Sequence, residues 1–225
     1  MQLIIGNRNY SSWSLRAWLY LEESGIRFDT TRLSLFSANW QDQVAEFSAA
    51  GRVPVLVDDG ITVWDSLAIV EHVRENHGGI DWPGDTVERA LARAITSEMH
   101  SGFLAIRDEL PMNVRASSPV DPATLSDACR QQIQRIGSIW TGCLERSGGE
   151  WLMGEFGIAD VFYAPVALRF LTYAIDLDGD CRDYMKRIRA RPAVNAWCEA
   201  AAEEPEQLDF IDQRIPASDT ELTLG

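Results

Sequence analysis

The chain has 225 residues, 46% hydrophobic and 24% charged, with a formal net charge of -14 at pH 7. That length suits one large domain or two modest ones, and the composition suits a globular protein that buries its core without disulfide help. The acidic balance repels polyanions and so argues against nucleic acid or an anionic membrane surface as partner, and no run approaches the roughly 18 apolar residues of a membrane span.

The opening MQLIIGNRNY has too short an apolar run for a signal-peptide core, so a cytoplasmic location is expected. Gln2 to Ile5 reads as a short buried strand. A helix starts at Ser11, with serines at the cap and Leu15, Trp18, Leu19 and Leu21 at helical spacing; Gly25 ends it. Phe28 to Leu33 reads as a second strand and Gln41 to Phe47 as a short helix. Arg52 to Val57 is a strand entered through Pro54, and the turn Asp58-Asp59-Gly60 joins it to the strand Ile61 to Trp64 as a hairpin. Asp65-Ser66 caps a third helix that stops at Gly78-Gly79. The order is β-α-β-α-β-β-α.

A Gly/Pro-containing linker, Ile80 to Asp85, divides residues 1–79 from residues 86–225, after which only helical patterns occur. The first long helix is expected over Glu88 to Leu110, the second over Pro122 to Arg146 and the third over Ile158 to Tyr173. Cys181 to Glu204 reads as a helix pair broken at Pro192, and Pro216 to Gly225 as a polar trailing segment. Cys129, Cys143, Cys181 and Cys198 lack C-x-x-C spacing and are expected as small buried helix residues. His72, His77 and His100 lack a partner at metal-ligand spacing, so no metal is expected.

Three short constellations carry chemistry. Ser11 and Ser12 open a helix directly after the first strand, where backbone N–H groups favour an anion; they can cap the helix or donate to a bound anion. Val53-Pro54 stands where a proline costs a ladder bond unless it starts the strand, in trans, or forms a cis bond that turns the Val53 backbone toward an extended ligand. Asp65-Ser66 can cap its helix or hold an α-amino acid head group.

In this order the three resemble the glutathione transferase superfamily: serine at the first helix, Val-Pro before the third strand, and an acidic-Ser pair opening the third helix. Phe156-Gly157-Ile158-Ala159-Asp160 is similar to that family's helix-capping signature, with Gly157 where Ser or Thr is usual. Ser11-Ser12-Trp13-Ser14-Leu15-Arg16 is most similar to the Ser-Ser-Cys-Ser-Trp-Arg opening of the zeta class, the maleylacetoacetate isomerases, with Trp13 where the cysteine stands.

The resemblance implies a thioredoxin-like α/β N-terminal domain followed by an all-α helical bundle, glutathione as co-substrate, and a homodimer. It implies transfer to a small hydrophobic electrophile after Ser11 or Ser12 stabilises the thiolate. In the same reading Val53 and Pro54 meet the cysteinyl backbone, Asp65 and Ser66 the γ-glutamyl head, and Arg52 the glycyl carboxylate. Met99, Phe103 and Arg107, at i, i+4 and i+8, are expected on one helix face toward the electrophile, with Trp13 or Trp40 opposite and the loop Pro111 to Arg115 nearby. The alternatives are glutathione-dependent cis-trans isomerisation and a non-catalytic binding module on the same fold. A thioredoxin-like oxidoreductase is disfavoured, because no cysteine precedes residue 129.

Overall fold

The computed structural model describes residues 1–213; the expected tail Pro216 to Gly225 lies outside the described residues. Strand β1 (Gln2–Ile5) is followed by α1 (Ser12–Glu23), β2 (Asp29–Arg32) and α2 (Trp40–Ala45), then by β3 (Val55–Asp58), β4 (Ile61–Trp64) and α3 (Ser66–His77). The sheet order is β2-β1-β3-β4, with β1 and β2 parallel and the other pairs antiparallel. Register Ile4↔Val55 sets the start of β3 beside the end of β1, and so brings the loop after β1 next to Val53-Pro54. Asp59 and Gly60 both have positive φ, the geometry that joins two strands in a two-residue hairpin.

From α4 (Thr86–Ser101) onward, the long elements are helical: α5 (Leu104–Glu109), α6 (Asp127–Ser147), α7 (Ile158–Thr172), α8 (Gly179–Ala190), α9 (Pro192–Ala202) and α10 (Asp209–Asp212). The single helix expected over Glu88 to Leu110 is two helices. A Cβ at Gly102 would lie 2.8 Å from the Glu98 carbonyl oxygen, and Phe103 sits in the left-handed region at φ 59. Arg107 then folds back over the break and donates to the carbonyls of Gly102 (3.0 Å) and Met99 (2.6 Å). A guanidinium at these C-terminal carbonyls satisfies orphan acceptors and suits the negative end of the helix dipole. The second expected helix likewise begins later, because Pro122 to Thr124 forms a separate 3-10 turn ahead of the Ser126 cap.

Helix α7 is buried along its length except at Leu171, and α1 and α4 pack on it. Its hydrophobicity on all sides is what a central helix requires. Trp18 packs at a tilt against Trp197 of α9, and Arg191 pairs with Glu23 of α1. All four cysteines are buried and free, as expected. No helix among the described residues is long and apolar enough to cross a membrane.

Candidate functional site

The N-terminus of α1 points out of the sheet at the carboxyl end of β1. Ser11 is its N-cap: the Ser11 hydroxyl accepts the Ser14 N–H (3.3 Å) and donates to Ser14 Oγ (2.8 Å), which also accepts the Gly6 N–H (3.0 Å). Ser12 accepts a hydrogen bond from Arg169 Nη2 at 3.3 Å. Both serines are buried yet line a cleft of about 540 Å³, together with Trp13, Trp40, Arg107 and Arg169.

Arg169 reaches this point from α7, held by its Nε donating to the Leu110 carbonyl at 2.9 Å. Burial, with Arg107 adding like-charge repulsion, pushes its pKa down to about 9. Behind it Arg16 is fully buried, with no hydrogen-bond partner among the described residues for any guanidinium nitrogen. Its charge rests instead on the π faces of Trp13 (4.7 Å) and Phe162 (5.2 Å). Burial, then Arg107 and Arg169, hold its pKa well below the ordinary value. Arg107 stacks on Trp13 at 4.8 Å, so the indole lies against two arginines. The cleft therefore collects Arg52, Arg107 and Arg169 against one carboxylate, Asp108, among the described residues. An anionic group entering it relieves repulsion between Arg107 and Arg169, whose charges burial has already destabilised.

A second cleft of about 580 Å³ is lined by Pro54, Asp65 and Ser66, and it shares Trp13, Arg52 and Val53 with the first, making one continuous groove. The Val53-Pro54 bond is cis. Among the described residues, no loop hydrogen bond uses the Val53 N–H or C=O. Ser66 is fully buried, and its hydroxyl has no partner among the described residues. Asp65 caps α3 through Oδ1, which accepts from Leu67 N–H at 2.8 Å, while Oδ2 pairs with His100 Nε2 at 3.1 Å. Burial works to raise the Asp65 pKa, and the His100 and Leu67 hydrogen bonds outweigh it, so the net shift is downward. Arg52 is exposed at the rim.

Met99 and Phe103 do not join this groove. Met99 is a core residue at 1% exposure, and Phe103 opens on a separate pocket beside Gln132 and Arg135. The break at Gly102 removes the helical periodicity that placed them with Arg107. Of the loop after α5, Pro111 and Met112 do line the cleft. Three contributors escaped the sequence reading: His100, Arg169, and the segment carrying Leu208, Phe210 and Ile211, which covers one wall. That segment is tied down by Asp212, whose carboxylate accepts from the Tyr10 hydroxyl (2.6 Å) and from Asn113 (2.8 Å). An arginine deep in the largely apolar α7 is a signal legible in sequence; the pairing across 157 positions is not.

The N-terminal domain model of glutathione S-transferase matches residues 10–76, and the C-terminal domain model matches residues 122–200. A probable maleylacetoacetate isomerase from Caenorhabditis elegans is 34% identical over 97 residues, 43% of this chain and 44% of that protein, so this match spans less than half of that relative. The maleylacetoacetate isomerase of Rattus norvegicus is 27% identical, covering 76% of this chain and 78% of its own. Glutathione S-transferase F10 of Arabidopsis thaliana is 25% identical over 82% of this chain and 85% of its own. Among solved structures, a glutathione transferase homolog from Burkholderia with bound glutathione superposes with a TM-score of 0.69 at 23% identity, covering 90% of this chain and 98% of that one. Glutathione S-transferase 1-6 from Anopheles dirus species B superposes at 0.71 with 17% identity, covering 90% and 96%. At these identities the superpositions speak for the fold alone. With both domain models matched in order on a sheet and helical array of this topology, the chain belongs to the glutathione S-transferase superfamily.

Proposed function

We propose that the protein binds glutathione in the groove from Ser66 to Ser11 and uses its thiolate on a small activated electrophile that carries a carboxylate. The observation that carries this reading is Arg169, a buried cation aimed at the helix N-terminus where the serines stand. The free Val53 backbone suits pairing with an extended peptide, and the unpartnered Ser66 hydroxyl at the start of α3 suits a carboxylate. Asp65 keeps only part of its capacity for an ammonium group, because His100 holds Oδ2.

In this reading Ser11 donates to the thiolate. A hydroxyl proton turns freely about its C–O bond, so Ser11 can aim outward while Ser14 returns its own proton to Ser11 Oγ. Ser12 acts as a positioning residue for Arg169, and Arg169 with Arg107 holds the electrophile's carboxylate. Trp13, Trp40 and the Leu208 segment supply the apolar walls that exclude water. The site has no metal in this scheme, since a thiolate attacking an activated carbon needs a donor, a clamp and dryness rather than a Lewis acid. We extend the proposal to a two-domain division at residues 1–79 and 86–225 and to a homodimer, for which the exposed Ile61 and Trp64 on edge strand β4 offer apolar surface.

Isomerisation of the maleylacetoacetate type is the second reading, favoured by the serine opening and by the cationic cleft, which suits an unsaturated acid. Trp13 in place of cysteine argues for altered chemistry beside the sulfur. Turnover of a carboxylated alkene, read separately for adduct and for geometric isomer, distinguishes the two readings. Arg169→Met is expected to lower kcat/KM for a carboxylated electrophile by about 10–100-fold, the worth of one charge-assisted hydrogen bond. A neutral aryl halide should lose much less. Equal losses on both would assign Arg169 to structure only. Retention on immobilised glutathione without turnover of any electrophile would replace catalysis by a binding role.

A further inference from the structure

We propose that Asp58, His72 and His77 form a divalent-metal site, with Zn²⁺ the ion its donors suit, that ties the β3–β4 hairpin to the C-terminal end of α3. His72 and His77 are five residues apart on one helix, a spacing that signals nothing by itself. Asp58 comes from the end of β3 and completes the set. His72 Nε2 lies 3.0 Å and His77 Nε2 2.6 Å from the same oxygen, Asp58 Oδ2, and the three donor atoms lie within 4.8 Å of one another.

Ligand atoms about 2.0–2.2 Å from a tetrahedral zinc are roughly 3.3–3.5 Å apart. The observed spacings reach that range with a small outward movement of the imidazoles. His77 is the last residue of α3, followed by Gly78 at φ 77, so it sits where the helix can yield. Two imidazoles and one carboxylate select a borderline ion over Ca²⁺ or Mg²⁺, which take mainly oxygen ligands. Asp58 is nearly buried, with a 9% exposed side chain, while His77 at 32% leaves an open side for entry and for a water as fourth ligand. Asn76 occupies the outer shell: its Nδ2 lies 3.4 Å from His72 Nδ1 and donates to the His72 carbonyl at 2.8 Å.

Asp58 lies five residues from Val53, about 16 Å along an extended chain, so the ion would brace the sheet rather than touch the groove. The proposal therefore stands apart from the proposed activity.

The test is a titration of the untagged, chelator-stripped full-length protein with Zn²⁺ against a chromogenic zinc indicator. One equivalent per chain is expected, of micromolar affinity or tighter and indifferent to excess Mg²⁺. The melting temperature should rise by about 5–10 °C at zinc a hundredfold above its Kd. The four cysteines are buried and do not compete in the folded chain. His77→Ala and the His72→Ala/His77→Ala pair should each lose about 100-fold or more in affinity while keeping the wild-type circular dichroism without metal. Asn76→Asp, which offers a carboxylate to the His72 Nδ1 proton, should tighten binding by about tenfold. X-ray absorption of the zinc complex should show only nitrogen and oxygen neighbours. Binding weaker than about 100 μM, undiminished binding in the double variant, or sulfur in the zinc shell would each overturn the proposal.

Discussion

Ser11→Ala is expected to lower kcat/KM for glutathione-dependent turnover by about 10–100-fold and to move the rise of the pH–rate profile upward by about one to two units. The reacting species is the thiolate, and a free thiol of pKa about 8.5 is mostly protonated at neutral pH. A donor at the helix N-terminus stabilises only the charged form, so its removal returns the pKa toward the free value; each unit is about 1.4 kcal/mol. Ser11 is the better-placed donor because its oxygen accepts the Ser14 N–H, which polarises its O–H, and that proton, shared with Ser14 Oγ in the structure, can turn toward a bound thiolate. The network behind it, from the Gly6 N–H through Ser14 Oγ, gives the hydroxyl a fixed position.

Ser12→Ala should behave differently. Its hydroxyl accepts from Arg169, so its loss loosens the guanidinium and raises KM for a carboxylated electrophile with little movement of the pH profile. The ultraviolet absorbance of bound thiolate, followed against pH in both variants, separates the roles. A profile that moves in Ser12→Ala and stays in Ser11→Ala would exchange them, and one that moves in neither would remove serine from thiolate activation.

The order of strands and helices along the N-terminal part of the chain, the hairpin at Asp59-Gly60 and the α3 cap at Asp65 were legible in sequence because each is written locally, in two-residue periodicity, turn residues or a capping side chain. The cis bond at Val53 was one of two readings of a proline at a strand entrance, and the structure selects it. Met99 and Phe103 were misplaced because apolar spacing continues through Gly102 while the backbone does not; Arg107, expected toward the electrophile, does line the cleft. Arg107 then caps the end of α4, acting back across the break on carbonyls of the helix it had been assigned to. His100 on Asp65, Arg169 on Ser12 and Asp58 between two histidines share one property: each joins residues from different elements, so no local pattern carries them. The cationic character of the cleft was missed for the same reason, since a chain of net charge -14 gives no hint that its buried arginines converge.

Asp160→Ala is expected to destabilise the fold by about 3–5 kcal/mol and to lower the melting temperature by about 10 °C or more. The residue is fully buried at the start of α7, and its two oxygens divide their work. Oδ2 accepts the Gly157 N–H at 2.9 Å, half of a capping box whose other half Gly157 lacks the side chain to make. Oδ1 accepts the Leu152 N–H at 3.1 Å and the Tyr184 hydroxyl at 2.9 Å, tying the preceding loop and α8 to the central helix. Alanine leaves these donors without an acceptor where water does not reach. Asparagine should fall between, because its carbonyl oxygen can keep the Oδ1 pair while its amide faces the Gly157 N–H donor to donor. Burial, opposed by these same hydrogen bonds, raises the Asp160 pKa to about 6. A carboxyl raised on folding binds its proton more readily in the native state, so its contribution to stability is fully present below about pH 4 and is lost as pH rises through about 6. The gap between wild type and Asp160→Asn in chemical denaturation should therefore widen as pH falls from 7 toward 5. Parallel curves over that window would show that the carboxyl titrates in the folded chain as it does in the unfolded one.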